Sequence, residues 1–255
     1  MAEALLGGLL GPEASSAGEL LGGGVAVVEV DAARRDVLAE RFAGLAVHAT
    51  PVAARDVVVA TKPAQVAEAL VAASEAGLSR VLSIAAGVTT HQLEAVTGRV
   101  PVVRAMPNTP AMVGVGASAI CGGHLATEDD LAWAESLLGA VGTVTRIPEQ
   151  LMDAVTGVSG SGPAYLFLVA EAMIDAGVLA GLPRDRADAL VRQTLLGAAT
   201  LLAGSDEGPE ALRAAVTSPG GTTAAALRVL EERAVRAALL DAVAAAAHRS
   251  AELGG

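Results

Sequence analysis

Between residues 25 and 147, short runs rich in valine and isoleucine alternate with stretches whose apolar positions recur at helical spacing. Runs at 25–30, 56–60, 80–84, 101–105, 117–121 and 143–147 predict strands, and 31–42, 63–76, 89–96 and 127–138 predict the helices between them. Alternation of this kind predicts βαβ units around a parallel sheet. Thr127 followed by Asp130 is a helix-start signal of the capping-box type, with aspartate in place of the usual glutamate or glutamine. Beyond Pro148 the strand pattern ends. Leu166, Val169, Ala170, Met173 and Ile174 fall on one helical face, and further helical runs cover 184–202 and 234–253. The expected organisation is therefore α/β over residues 1–147, followed by an all-helical domain over 148–255.

Composition narrows the classes of function. About half of the 255 residues are apolar (53%), enough for one large core or two modest ones. The net charge of -11 would repel phosphate backbones and anionic lipid, which argues against nucleic acid or a membrane surface as partner. The single Cys121 forms no internal disulfide and no Cys/His cluster has zinc-site spacing, so no metal is expected and a reducing cytoplasm suits the chain. Glu3, Glu13 and Glu19 in the opening segment do not fit an export or transit signal. The most apolar stretch, 163–182, contains Glu171 and Asp175, each costing about 2.5 to 3.5 kcal/mol near a bilayer centre. It reads as a buried helix of a soluble protein. With one Trp, one Tyr and two Phe, the small-residue helices pack either as a compact bundle or interlocked between two subunits.

The chemistry concentrates where a Pro-Gly-Gly turn runs into an alanine-rich helix, in the stretch VTSPGGTTAAALRVL over 216–230. A helix N-terminus offers unpaired N–H groups and partial positive charge, and neighbouring glycines let a small carboxylate approach the backbone. Ser218, Thr222 and Thr223 add hydroxyl donors. An ordinary loop before a capped helix satisfies the same pattern. Gly157, Gly160 and Gly162 follow no strand of a βαβ unit, so they predict close helix packing and not a dinucleotide fingerprint. Gly22, Gly23 and Gly24 precede a strand and read as a loop. His48, His91, His124 and His248 fit no motif.

Three stretches, SPGGTT at 218–223, RAMPNTP at 104–110 and VTGVSGSGPAY at 155–165, together resemble the pyrroline-5-carboxylate reductases, and the resemblance runs from Met1 to about Leu253. It implies a Rossmann-like NAD(P)-binding domain followed by an all-helical dimerisation domain. The implied reaction is hydride transfer from NAD(P)H to Δ1-pyrroline-5-carboxylate, giving L-proline in the last step of proline biosynthesis by a homodimer or higher homo-oligomer. By resemblance, Ser218, Pro219, Gly220, Gly221, Thr222 and Thr223 bind substrate, with Thr223 catalytic. The cofactor falls to Thr61, Lys62 and Pro63, to Ala85, Ala86 and Gly87, and to Asn108 beside the nicotinamide. Around the strand at 25–30, Glu29 and Asp31 suit a ribose hydroxyl, whereas Arg34 and Arg35 suit a 2′-phosphate. The resemblance tips this balance towards NADPH, with NADH tolerated, and towards Arg34. A family member also carries a strand and a glycine-rich turn before the position of Met1, and their absence would impair catalysis. Two other readings stay open: an impaired oligomeric relic, and a related NAD(P)H-dependent imine reductase, against which SPGGTT argues.

Overall fold

The computed structural model describes residues 1–10 and 24–254; Gly22 and Gly23 lie outside them. The chain divides into two compact units, one of Met1–Ser161 with Ala244–Gly255 and the other of Gly162–Val243.

The first unit opens with α1 (Ala2–Leu10), β1 (Ala26–Val28), α2 (Ala32–Arg41) and β2 (Ala46–His48). It continues through β3 (Asp56–Val59), α3 (Val66–Glu75), β4 (Arg80–Ser83), α4 (Thr90–Thr97), β5 (Val102–Met106), β6 (Gly116–Gly122), α5 (Glu128–Gly139), β7 (Gly142–Arg146) and the short α6 (Met152–Val155). Strands β3 to β7 form one sheet in chain order, and β1 and β2 form a separate parallel pair. Every predicted strand is present, with ends shifted by a residue or two. β2 was not foreseen.

The sheet departs in two ways from the expected parallel one. β5 and β6 are antiparallel, because the nine residues between Met106 and Gly116 are too few for the crossover that a parallel pair needs. β1 pairs only with β2 and β3 only with β4 among the described residues, which divides the sheet in two.

The period-2 alternation of the strands sorts their side chains onto two faces. Leu82, Val103 and Ile120 pack against α1 and α5 through Leu5, Leu9, Trp133 and Leu138, whereas Val81 and Val102 pack against α3 and α4 through Leu70 and Leu93. Helix starts are fixed by local caps. Thr127 and Asp130 form the anticipated reciprocal capping box at α5, Thr89 and Gln92 form a second at α4, and Asp31 caps α2. At the edge of the main sheet, Arg80 holds Asp56 through two bonds of 2.7 and 2.8 Å and lies over the Trp133 ring at 4.4 Å.

The second unit is helical: α7 (Gly162–Leu179), α8 (Arg184–Ala203), α9 (Pro209–Ala215), α10 (Thr222–Glu232) and the first part of α11 (Val235–Gly254). The segment read as a buried helix is not buried within one chain. α8 covers only the stripe of Ile174 through Ala187 and Val191, leaving Phe167 64% and Leu168 66% exposed. By length and composition alone, the helical stretch Glu149–Leu179 would suffice to cross a membrane. Asp175 on it is paired with Arg184 at 2.9 Å, an ion pair suited to water. Leu196, Leu201, Leu239 and Leu240 are likewise exposed, and large exposed apolar patches are rare on monomeric soluble proteins. We therefore expect light scattering at micromolar concentration to give at least twice the mass of one chain. A monomeric mass would refute this.

Candidate active site

Because β3, β4 and β5 are parallel neighbours, the turns that follow them emerge along one edge of the sheet, where open α/β sheets bind ligands. Thr61, Lys62 and Pro63, after β3, are exposed. Pro63 starts a single 3-10 turn leading into α3, and neither this turn nor α3 has a side-chain cap; Pro63 has no N–H and the Gln65 N–H donates to the Lys62 carbonyl, which leaves that of Ala64 without a side-chain acceptor. After β4, Ala85 and Gly87 are buried and Ala86 is exposed, with Gly87 in the left-handed region at φ +79°. After β5, Asn108 is 8% exposed. Its Oδ1 accepts from the Ala117 N–H at 2.9 Å, and its Nδ2 donates to the Ser159 carbonyl at 3.1 Å. Asn108 thus ties the start of β6 to residues 156–160, which form one π-helical turn, a distortion frequent at functional sites. In that turn the expected close packing holds for Gly160, where a Cβ would lie 2.5 Å from the Met106 Cε. Gly162 has open space around it.

Beyond β1 the acidic and basic candidates are already engaged. Asp31 accepts from the Arg34 N–H at 2.8 Å, and Glu29 accepts from the Asp31 N–H at 3.0 Å. The Arg34 guanidinium pairs with Glu3 of α1. Arg35 donates at 2.9 Å to each of the Glu29 and Val30 carbonyls, which fixes its guanidinium at the end of β1.

A polar cluster beneath the β4 and β5 turns escaped the sequence reading. Arg104, buried in β5, pairs with Glu149 at 3.1 Å, and the same carboxylate accepts the Thr90 N–H at 2.7 Å and the Thr90 hydroxyl. Burial pushes the Glu149 pKa up, but the Thr90 and Arg104 donors outweigh it and hold the group below its ordinary value. Opposite Arg104 on β6, burial and the nearby Glu149 carboxylate push the Cys121 thiol up to about 12. An arginine inside an otherwise apolar strand was the one available signal for this cluster.

Residues 218–223 belong to the second unit. Gly220 has φ +70°, a conformation glycine adopts without strain. At Gly221 a Cβ would stand 2.3 Å from the Ser218 Oγ and 3.1 Å from the Ser218 carbonyl oxygen, so a larger residue there would turn the Ser218 hydroxyl aside. Gly221 is the N-cap of α10 and supplies no side chain to it, which leaves the first-turn N–H groups of Thr222 and Thr223 open. Ser218, Pro219 and Thr222 are exposed and Thr223 is half-buried.

The same order of parts occurs in characterised proteins. A pyrroline-5-carboxylate reductase of Synechocystis sp. is 44% identical over 259 residues, covering 100% of this chain and 95% of its own. The chain belongs to the pyrroline-5-carboxylate reductase family. Among solved structures of these reductases, that from Coxiella burnetii is 32% identical with a TM-score of 0.89, covering 100% of this chain and 95% of its own. The Plasmodium falciparum enzyme, solved with NADP bound, is 31% identical with a TM-score of 0.75 and covers 83% of each chain. The family model for pyrroline-5-carboxylate reductase dimerisation matches residues 149–253, close to the stretch read from sequence as the helical domain, although the compact units part after Ser161.

In this reductase, Glu149→Gln should lower stability by about 1 to 3 kcal/mol, since it leaves the buried Arg104 guanidinium without its counter-charge. The Glu149 pKa is depressed on folding, so its contribution is complete above the ordinary value of 4.5 and is lost as pH falls through the lower folded value. Denaturant melts of the wild type and the variant should therefore differ at pH 7 and converge below pH 4.5. Parallel pH dependence in the two proteins would contradict the pairing.

Proposed function

We propose that the chain reduces Δ1-pyrroline-5-carboxylate to L-proline, with NADPH preferred over NADH, as a homodimer or larger homo-oligomer. The observation that carries this reading is the uncapped start of α10, where no side chain caps the first-turn N–H groups and Ser218, Thr222 and Thr223 supply hydroxyls in the same stretch. It leaves a carboxylate-sized set of backbone and hydroxyl donors.

The turns along the sheet edge fit a nicotinamide dinucleotide. The Ala64 N–H in the uncapped turn and the exposed Lys62 suit a pyrophosphate. Ala86 presents a small exposed side chain over which a ring can lie, and Asn108, held from both ends of its amide, offers a fixed polar group. Arg34 and Arg35, just beyond β1, are the positive charges we assign to a 2′-phosphate, which favours NADPH; Arg34 would exchange its pairing with Glu3 for that contact. The cofactor, when bound, supplies the hydride.

The protein's own contribution is placement. The first-turn N–H groups of α10 and the Ser218 hydroxyl hold the substrate carboxylate, aided by the positive end of the helix. Thr223, at the second position of α10, donates a hydrogen bond to the ring nitrogen and holds it as it becomes an amine. A cyclic imine is basic enough to take its proton from water near neutral pH, so no histidine or carboxylate is required at the site. Orientation then accounts for most of the rate.

Thr223→Val keeps the shape of the side chain and removes the hydroxyl. Steady-state kinetics should show kcat/KM falling about tenfold to a hundredfold, mostly in kcat, because the lost bond strengthens on the way to the transition state. NADPH affinity should not change, and Thr222→Val should have a smaller effect. Full activity in Thr223→Val would remove that residue from the mechanism.

A further inference from the structure

The C-terminal turn of α11 rests on the turn that follows β4. Residues 244–255 cluster with the first unit, although α11 begins in the second. Two glycines meet there, backbone to backbone. A Cβ on Gly254 would stand 2.8 Å from the Gly87 carbonyl oxygen, and a Cβ on Gly87 would stand 3.3 Å from the Leu253 carbonyl. Gln92 closes the contact from the side. Its Oε1 accepts the Thr89 N–H at 2.9 Å as half of the α4 capping box, and its Nε2 donates to the Gly254 carbonyl at 2.9 Å. One turn earlier on α11, the buried Ser250 hydroxyl donates to Asp153 at 2.6 Å, which pins the helix to α6. The contact lies on the Gly87 side of the turn and leaves Ala86 exposed.

We propose that the end of α11 is the seat that holds residues 85–87 in their binding conformation, which makes Gly254 and Gln92 positioning residues for the nicotinamide cofactor. Gly87 sits at φ +79°, a conformation from which a glycine departs easily. The backbone of Leu253 and Gly254 closes off that departure, and Gln92 keeps the seat from sliding. This rests on the assignment of the 85–87 turn to the cofactor made above.

Two variants test the seat without touching the turn. Gly254→Ala improves helix propensity but wedges a methyl group against the Gly87 carbonyl. Gln92→Glu keeps the acceptor that caps α4 and loses the donor to Gly254. Both should speed amide hydrogen exchange at residues 85–88 in the free protein. Both should also weaken NADPH binding, measured by fluorescence titration, by about threefold to tenfold, the worth of one modest contact. The KM for pyrroline-5-carboxylate and the melting temperature should stay as in the wild type. The double variant should lose less than the two single losses combined, because both act on one contact.

Unchanged exchange at 85–88, or tighter NADPH binding in either variant, would overturn the proposal; tighter binding would make the seat a cover. Gly87→Ala separates the two levels of the argument. If it leaves NADPH binding untouched, the cofactor assignment of the turn fails and the proposal falls with it. If it weakens binding while Gly254→Ala and Gln92→Glu do not, the assignment stands and the seat alone is refuted.

Discussion

Glu149 is the point through which the first unit is tied together. Its carboxylate takes the guanidinium of Arg104 from the middle of β5 and both donors of Thr90 from the first turn of α4. A buried arginine without this partner would carry an unmet charge inside the sheet, so the pair constrains where β5, α4 and the helical segment after β7 can lie. The 85–87 turn and Asn108 are anchored on these same elements. The turn leads into α4, and Asn108 follows β5 and bonds to the π-helical segment that continues from residue 149.

On the proposed assignment, the two units divide the chemistry between them. The first carries three turns at the ends of adjacent parallel strands, which present small residues, Lys62 and Asn108 but no histidine or carboxylate. The second carries one helix start prepared by Gly220 and Gly221. Neither set contains a histidine or carboxylate, which is consistent with a cofactor that brings the chemistry and a protein that brings orientation. The exposed apolar faces of α7 and α8 add a further requirement, since they match a dimerisation family and are left uncovered by the chain's own helices.

Features governed by neighbouring residues were legible in the sequence. Six strands followed from β-branched runs, the α5 cap from Thr127 and Asp130, and the prepared start of α10 from Pro-Gly-Gly, because in each the deciding contact spans only a few positions. β2 was missed because Ala46, Val47 and His48 make a run too short and too polar to stand out. The antiparallel placement of β6 depended on the reach of the loop before it. The Glu149 cluster joins residues 45 and 59 positions apart, and the Gln92 contact with Gly254 spans 162. No periodicity encodes such pairings. For α7 the apolar pattern was legible, but the choice between a compact bundle and helices interlocked between two subunits was not, since pattern alone does not say which chain supplies the cover.

The position of Cys121 also bears on how the protein meets oxidative stress. Thiolates, not thiols, attack peroxide and alkylating reagents, and a group with a pKa near 12 in a buried strand supplies almost none at any pH a cell reaches. The chain's one sulfhydryl, buried in β6 and held in its protonated form, is thereby a poor nucleophile.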